Sequence, residues 1–263
     1  MSQVEWNKRH RKELVLQLIQ GVQLNDAQLN TIAERLNLDL SQPRVAAVVK
    51  VTPDKNQSFS LEHLQQLVHL LEYPERDNLV GIISVSKNEV VVLKPVSLTE
   101  SGWSQQMETK RINQLLKRVK KLSNFSIKIA LGEYFSGVDG LAKSYETAQL
   151  TMQSVSNQSG EVFFYQDHKL PVLMSSILSE TWKAEQLRQP YDLLKQHDTK
   201  GILIRTLSEY FSQNCDASQT CQKLHIHRNT LRYRLEKTEQ ITLLNISNLN
   251  DKLQLYLAIT LFK

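Results

Sequence analysis

Apolar residues recur along this chain in successive rhythms, and each rhythm predicts a different kind of structure. From Asn7 to Gln20 they fall at helical spacing, with Leu14, Leu18 and Ile19 on one side and Gly21 placed to end the helix. A second helix is expected from about Asn25 to Leu36, carried by Leu29, Ile32, Ala33 and Leu36, and Asp39 to Pro43 is a connector. At Arg44 the rhythm changes. Arg44–Val51 is a β-branched apolar run of the kind a buried strand carries. Val80–Val85 and Glu89–Lys94 read as strands turned at Ser86-Lys87-Asn88 into a hairpin, and Ser126–Leu131 and Val162–Tyr165 as two more. Between them lie helical stretches at Ser60–Leu71, at Gln105–Leu122 with Ile112, Leu115, Leu116 and Val119, and at Leu141–Val155. The order β-α-β-β-α-β-α-β predicts a sheet containing antiparallel pairs, with helices packed on it. Beyond it only helical rhythm continues: Pro171–Leu194 as helical linker interrupted by Pro190, a hinge candidate at Asp198–Gly201, then helices to Lys263.

The last stretch carries the most informative local pattern. Asp216 is a good N-cap, and Ala217, Cys221 and Leu224 follow on one helical face. His225-Ile226-His227 breaks the pattern, and a second short helix starts near Arg228 with Leu231 and Leu235 inward. Two short helices across a tight turn make a helix-turn-helix, whose second helix presents its first residues to base edges. There the chain offers His227, Arg228, Asn229, Thr230, Arg232 and Tyr233. Arginine pairs bidentately with guanine, asparagine with adenine, and threonine touches the thymine methyl. Arg234 and Lys237 are expected on phosphates, which position without specifying. Acid is nearly absent until Glu236. The competing reading is a basic helix face that is merely solvated. His225 stands where such turns need a positive φ, a conformation histidine tolerates better than most residues.

Composition narrows the partners. The chain has 263 residues, 41% hydrophobic, with a formal net charge of +5 and a pI near 9.1. Residues 201–263 hold eight Lys/Arg against five Asp/Glu, so part of the basic excess lies with the motif. Two cysteines, Cys215 and Cys221, make no disulfide framework and no metal spacing. No Walker A, Gly-x-Gly-x-x-Gly or Cys/His zinc pattern occurs, and His225 and His227 are not at helical metal-site spacing. Gly132, Gly137 and Gly140 bracket a loop read as a strand-to-helix connection, with an anion cradle as its alternative. No apolar run long enough for a span and no signal peptide is found, so no membrane partner and a cytoplasmic protein are expected.

His227-Arg-Asn-Thr-Leu-Arg-Tyr-Arg-Leu235 resembles the signature of the C-terminal helix-turn-helix in the carbohydrate diacid regulator and purine-catabolism regulator families of bacteria. Thr206–Asn214 resembles their preceding helix and Leu249–Ala258 their closing one. Upstream, Leu40-Ser-Gln-Pro-Arg-Val45, Ser144-Tyr-Glu-Thr-Ala148 and Phe164-Tyr-Gln-Asp-His-Lys-Leu-Pro-Val172 look like the diacid-regulator branch. The resemblance covers nearly the whole chain. It implies an α+β protein with N-terminal linker helices over residues 1–42 and a central degenerate GGDEF-like α/β domain over 43–168. A helical linker over 169–200 and an all-α helix-turn-helix domain over 201–263 follow. In that family a sugar-diacid recognition domain ordinarily comes first. This chain starts at what resembles the linker helix after it, so a short form without direct diacid response is expected.

Aligning the hairpin sets Ser86-Lys-Asn-Glu-Val90 where Gly-Gly-Asp-Glu-Phe stands in active cyclases. Both glycines are gone, Asn88 replaces the acid, and Lys50 lies near the end of the first strand where a carboxylate would hold Mg²⁺. Only Glu89 survives. A catalytically silent central domain is therefore expected, with no catalytic residue, cofactor or metal. The function these readings imply is a sequence-specific transcriptional regulator, of carbohydrate diacid (glycerate, glucarate, galactarate) metabolism by resemblance. It would bind a double-stranded operator as a homodimer, with an effector the sequence does not name. The Leu14/Leu18 face of the first helix is expected to help pair two copies. The rivals are a nucleotide-cyclase-like enzyme and a dimerisation module that binds no DNA.

Overall fold

The computed structural model describes residues 3–22, 26–52, 60–72, 77–100, 102–122 and 126–263. The chain divides into two units, Met1–Val172 and Leu173–Lys263, each with its own core.

The first unit runs α1 (Gln3–Ile19), α2 (Asp26–Leu36), β1 (Arg44–Thr52), α3 (Leu61–Glu72), β2 (Leu79–Ser84), β3 (Glu89–Pro95), β4 (Leu98–Thr99), β5 (Gly102–Trp103), α4 (Gln105–Leu122), β6 (Ser126–Leu131), α5 (Gly140–Ser154) and β7 (Val162–Phe164). The start expected at Asn25 for the second helix lies outside the described residues. Among the described residues, five strands form one sheet in the order β2-β3-β1-β6-β7. Its pairs are antiparallel except β6 with β7, which are parallel and joined through α5. The small β4–β5 hairpin was not foreseen, because two-residue strands leave no periodicity to read.

Both faces of the sheet are covered, and this is why β1 reads as an unbroken apolar run. Val45, Ala47, Val49 and Val51 pack with Leu64 and Leu67 of α3 and Ile112 and Leu116 of α4. On the other face Ala46, Val91 and Leu93 meet α1 and α2, while Val48 and Ala130 meet Ala148 and Met152 of α5. Helix α1 corrects one expectation. Its Leu14, Val15 and Leu18 are buried against this sheet, so the face expected to pair with a second copy is occupied within the unit. A Cβ on Gly81 of β2 would lie 3.0 Å from Val15 Cγ1, so the missing side chain is what lets α1 sit so close.

The stretches outside the helix-turn-helix that carry the resemblance are joints of this unit. Arg44 is buried and donates to the carbonyls of Asp77, Asp39 and Leu93, fastening the entry to β1. Burial pushes its guanidinium below the ordinary arginine value, opposed by the charges of Asp77 and Asp39. Ser144 Oγ accepts from the Ala46 amide at 2.9 Å, pinning α5 to β1. A Cβ on Gly132 would fall 2.0 Å from the Ser144 carbonyl, so this strand-to-helix connection requires glycine. Glu133 accepts from Trp103 Nε1 at 2.8 Å and from Gln166, and Asp167 accepts from Gln105 Nε2 at 2.6 Å.

Helix α6 (Lys169–Leu178) contains the division. The second unit comprises α7 (Thr181–His197), α8 (Ile202–Ser212), α9 (Ala217–Leu224), α10 (Arg228–Thr242) and α11 (Leu249–Phe262). Helix α7 runs through Pro190 instead of breaking there, and it carries Leu194 into a core with Leu203, Leu207, Ile246, Leu255 and Ile259. Proline removes one backbone donor, but here it is buried and the packing holds the helix on both sides of it. The expected hinge at Asp198–Gly201 is a capped corner. Asp198 accepts from the amides of Ile202, Leu203 and Ile204 at 2.8, 2.6 and 3.1 Å, with Gly201 left-handed at φ 65°.

Candidate nucleic-acid interface

The interface is built by how α10 is entered and how it is anchored. Helix α9 starts at Asp216, whose carboxylate accepts from the Gln219 amide at 2.9 Å. It ends at His225, left-handed at φ 52° and ψ 45°, the conformation the turn demands and histidine tolerates. The chain then extends through Ile226 and His227. His227 is the N-cap of α10, its Nδ1 accepting from the Asn229 amide at 3.3 Å. A ring acting as cap acceptor holds the start of the helix, so this side chain orients the neighbouring residues.

One side of α10 is fixed in the core. Leu231 is buried, Leu235 packs against the Leu207–Leu255 cluster, and Thr238 and Thr242 continue the inward stripe. The 3.6-residue period then dictates the outward side chains. Arg228, Asn229, Arg232, Tyr233, Glu236 and Lys237 are all exposed and lie at successive turns of one face. Tyr233 keeps 64% of its surface in solvent. Thr230 is half-buried at the edge. Arg232 Nε stands 3.6 Å from Glu236, an exposed i,i+4 pair. Such a pair is worth about 0.5 kcal/mol or less, so it opens readily for a phosphate or a base. The stripe holds three cations against one acid, with Lys223 of α9 exposed as well.

Arg234 departs from the expected pattern. It is half-buried, and its Nη1 donates to Thr206 Oγ1 of α8 at 3.1 Å. Thr206 is itself buried and donates to the Ile202 carbonyl at 2.7 Å. Arg234 therefore ties α10 to α8 through Thr206. The sequence hides this because an arginine stem crosses apolar surface as easily as it extends into water. Cys215 and Cys221 are both free thiols. Among the described residues no His/Cys/Asp/Glu cluster is arranged to hold a metal, and no helix is long and apolar enough to cross a membrane.

The PucR C-terminal helix-turn-helix domain family matches residues 203–261, the segment that contains the stripe. The GGDEF-like domain family matches residues 21–154, half of the chain. The Escherichia coli (strain K12) carbohydrate diacid regulator is 41% identical over 97% of this chain and 66% of its own length. The chain belongs to the carbohydrate diacid regulator family. A second member-like relative, the proline-responsive transcriptional activator PutR of Bacillus subtilis (strain 168), is 26% identical over 96% of this chain and 62% of its own length. The chain thus spans somewhat less than two thirds of the length of these relatives. Among solved structures, a regulator of polyketide synthase expression from Bifidobacterium adolescentis aligns with 96% of the chain at TM-score 0.39 and 16% identity, too remote for inference.

The Arg234 clamp gives a test that separates it from a phosphate contact. Arg234→Met is expected to lower unfolding stability by about 1 kcal/mol while leaving the salt dependence of DNA binding unchanged. Thermal melting and a salt titration of duplex binding read the two effects. A shallower salt slope with unchanged melting would return Arg234 to the phosphates.

Proposed function

We propose that this chain is a cytoplasmic, sequence-specific DNA-binding transcriptional regulator that reads duplex DNA with the exposed stripe of α10. The observation that carries this reading is the division of labour along one helix. Leu231, Arg234 and Thr238 anchor it, and Arg228, Asn229, Arg232, Tyr233 and Lys237 face outward from a capped N-terminus. In this reading Arg228, Asn229 and Arg232 contact base edges, Thr230 a thymine methyl, and Lys237, one turn further on, a phosphate. His227 serves that surface as its cap. We assign the regulated genes to carbohydrate diacid metabolism, by 41% identity to a relative named for it. The effector is a separate matter. Two relatives aligned with almost the whole of this chain are named for carbohydrate diacids and for proline, so the shared segment does not specify a small molecule.

Arg228→Ala is expected to weaken binding to the specific site by about 1–3 kcal/mol and to relax preference at one base pair. Lys237→Ala is expected to weaken specific and random duplexes alike and to reduce the salt slope by about one. Selection of genomic fragments by the purified protein supplies the site. Equal loss on both duplexes for Arg228→Ala would refute base reading by that residue.

The protein is proposed to act as a homodimer. One recognition helix covers a short half-site, and a two-fold site doubles it. Leu249 and Leu253 of α11, 76% and 52% exposed, offer an apolar surface outside the stripe. Sedimentation at micromolar concentration, with and without operator, is expected to give a dimer; a monomer in both would sink the idea.

The α/β domain is proposed to be catalytically silent, against the cyclase alternative. Lys50 stands directly between Glu89 and Lys128 across three strands, where a metal site would need carboxylates. Incubation with GTP or ATP and Mg²⁺ should yield no cyclic or dinucleotide product, and turnover lost in Glu89→Ala would overturn this.

A further inference from the structure

A cleft of about 380 Å³ opens in the first unit between the sheet and the C-terminal half of α5. Lys50, Lys87, Glu89, Gln149, Gln153 and Ser156 line it. The strand register explains its charge. Lys50 on β1 is directly opposite Glu89 on β3 and directly opposite Lys128 on β6. Opposite residues share a face, so two lysines stand side by side on the face that Val48 and Ala130 present to α5. Lys128 is held in place: its Nζ donates to the carbonyls of Gln158, Ser156 and Val155 at 2.6, 3.0 and 3.4 Å, beyond the end of α5. Lys50 is half-buried and makes no hydrogen bond or ion pair among the described residues, Glu89 included. Lys87 sits exposed on the β2–β3 turn at the mouth.

This arrangement is unfavourable as it stands. Lys50 and Lys128, directly opposite, repel, and Glu89 on the other side of Lys50 offsets this without closing an ion pair among the described residues. Lys128 serves the end of α5, whereas the apolar packing beneath does not involve the Lys50 ammonium. Val48, Ala130, Ala148 and Met152 close the core below them. Two lysines against one carboxylate in a cleft favour an anionic ligand. Gln149 and Gln153 lie one helical turn apart on the opposite wall and add amide donors.

We propose that this cleft binds a small dianion, phosphate or dicarboxylate in kind, through Lys50 and Lys87 and without a metal ion. Its volume is that of a small-ligand site. Lysine binds such oxygens as a point charge, and the carboxylate of Glu89 opposes the ligand and limits its affinity. The degenerate hairpin thus has its electrostatics inverted, from a place that would hold a cation to one that holds an anion.

Calorimetry on the full chain in EDTA at low salt tests this, with inorganic pyrophosphate in one arm and glutarate in the other. Saturable binding of either is expected in the millimolar range or tighter. Pyrophosphate alone would identify a phosphate ligand, and glutarate alone a dicarboxylate. Lys50→Gln should weaken binding about tenfold or more, and Glu89→Gln should tighten it several-fold. Lys87→Gln, at an exposed side chain, should weaken it less. Arg228→Ala, in the other unit, should leave it unchanged. No saturation by either probe, binding only with added Mg²⁺, or equal affinity in the wild type and both lysine variants would overturn the proposal.

Discussion

The burial of Leu231 is the constraint on which the DNA-facing surface depends. Once that side chain is in the core of the second unit, the helical period leaves no choice about which residues of α10 face out. The Arg234–Thr206 hydrogen bond fixes rotation about the same axis from a second point, and the His227 cap fixes the first turn. Base reading needs side chains placed to a fraction of an ångström, and a helix held at one end only would not supply that. The core that holds it is assembled from α7, α8 and α11, so residues far from the stripe in sequence set its aim. The Asp198 corner between α7 and α8 belongs to the same device, since three amides of α8 end on one carboxylate.

In the first unit the sequence motifs that carry the family resemblance are almost all joints. Arg44 ties down the approach to β1, Ser144 ties α5 to β1, and Gln166 and Asp167 tie the chain after β7 to Glu133 and Gln105. Glu108 and Lys94 form a buried ion pair at 3.2 Å between α4 and β3. Such a pair is weak support for stability, because desolvating both charges offsets much of their attraction, but losing one partner would strand the other. It acts more as a register mark: α4 can dock on β3 with that pair aligned and not one turn away. Family-like residues in this unit therefore speak about how the sheet and helices lock, and they are silent about a ligand.

This separation explains how much was legible in advance. The strands, the helices and the turn at His225 follow from local rules: the two-residue and 3.6-residue periods, the cap at Asp216, the tolerance of histidine for positive φ. What could not be read is what depends on a partner distant in sequence. The Leu14/Leu18 face was visibly apolar, but the pattern cannot say whether a sheet or a second molecule covers it, and the room that Gly81 leaves for Val15 becomes a sign of the sheet only once the fold is known. Arg234 looked like its neighbours Arg228 and Arg232, because orientation toward Thr206 is a property of the fold. Leu243 ends α10 in the left-handed region at φ 58° with no glycine or asparagine to announce it. The Lys50–Lys128 juxtaposition needs the register of β1 against β6, fixed only when the whole sheet is closed.

The charge distribution adds a last constraint on how the two units work. The 201–263 segment carries a net +3 from eight Lys/Arg and five Asp/Glu, out of +5 for the chain, and one of its arginines is turned inward. Electrostatic affinity for duplex DNA scales with the number of phosphates neutralised, each contributing about 0.9 to the salt slope. A stripe with Arg228, Arg232 and Lys237 neutralises few, and Arg232 shares its charge with Glu236. Non-specific attraction to DNA is therefore small for a single copy. That is an advantage for discrimination, because random sequence competes through phosphates alone. It also means that a single stripe has little to hold it on its site, and the proposed homodimer would join two stripes on one two-fold site, where the second contact occurs at high effective concentration.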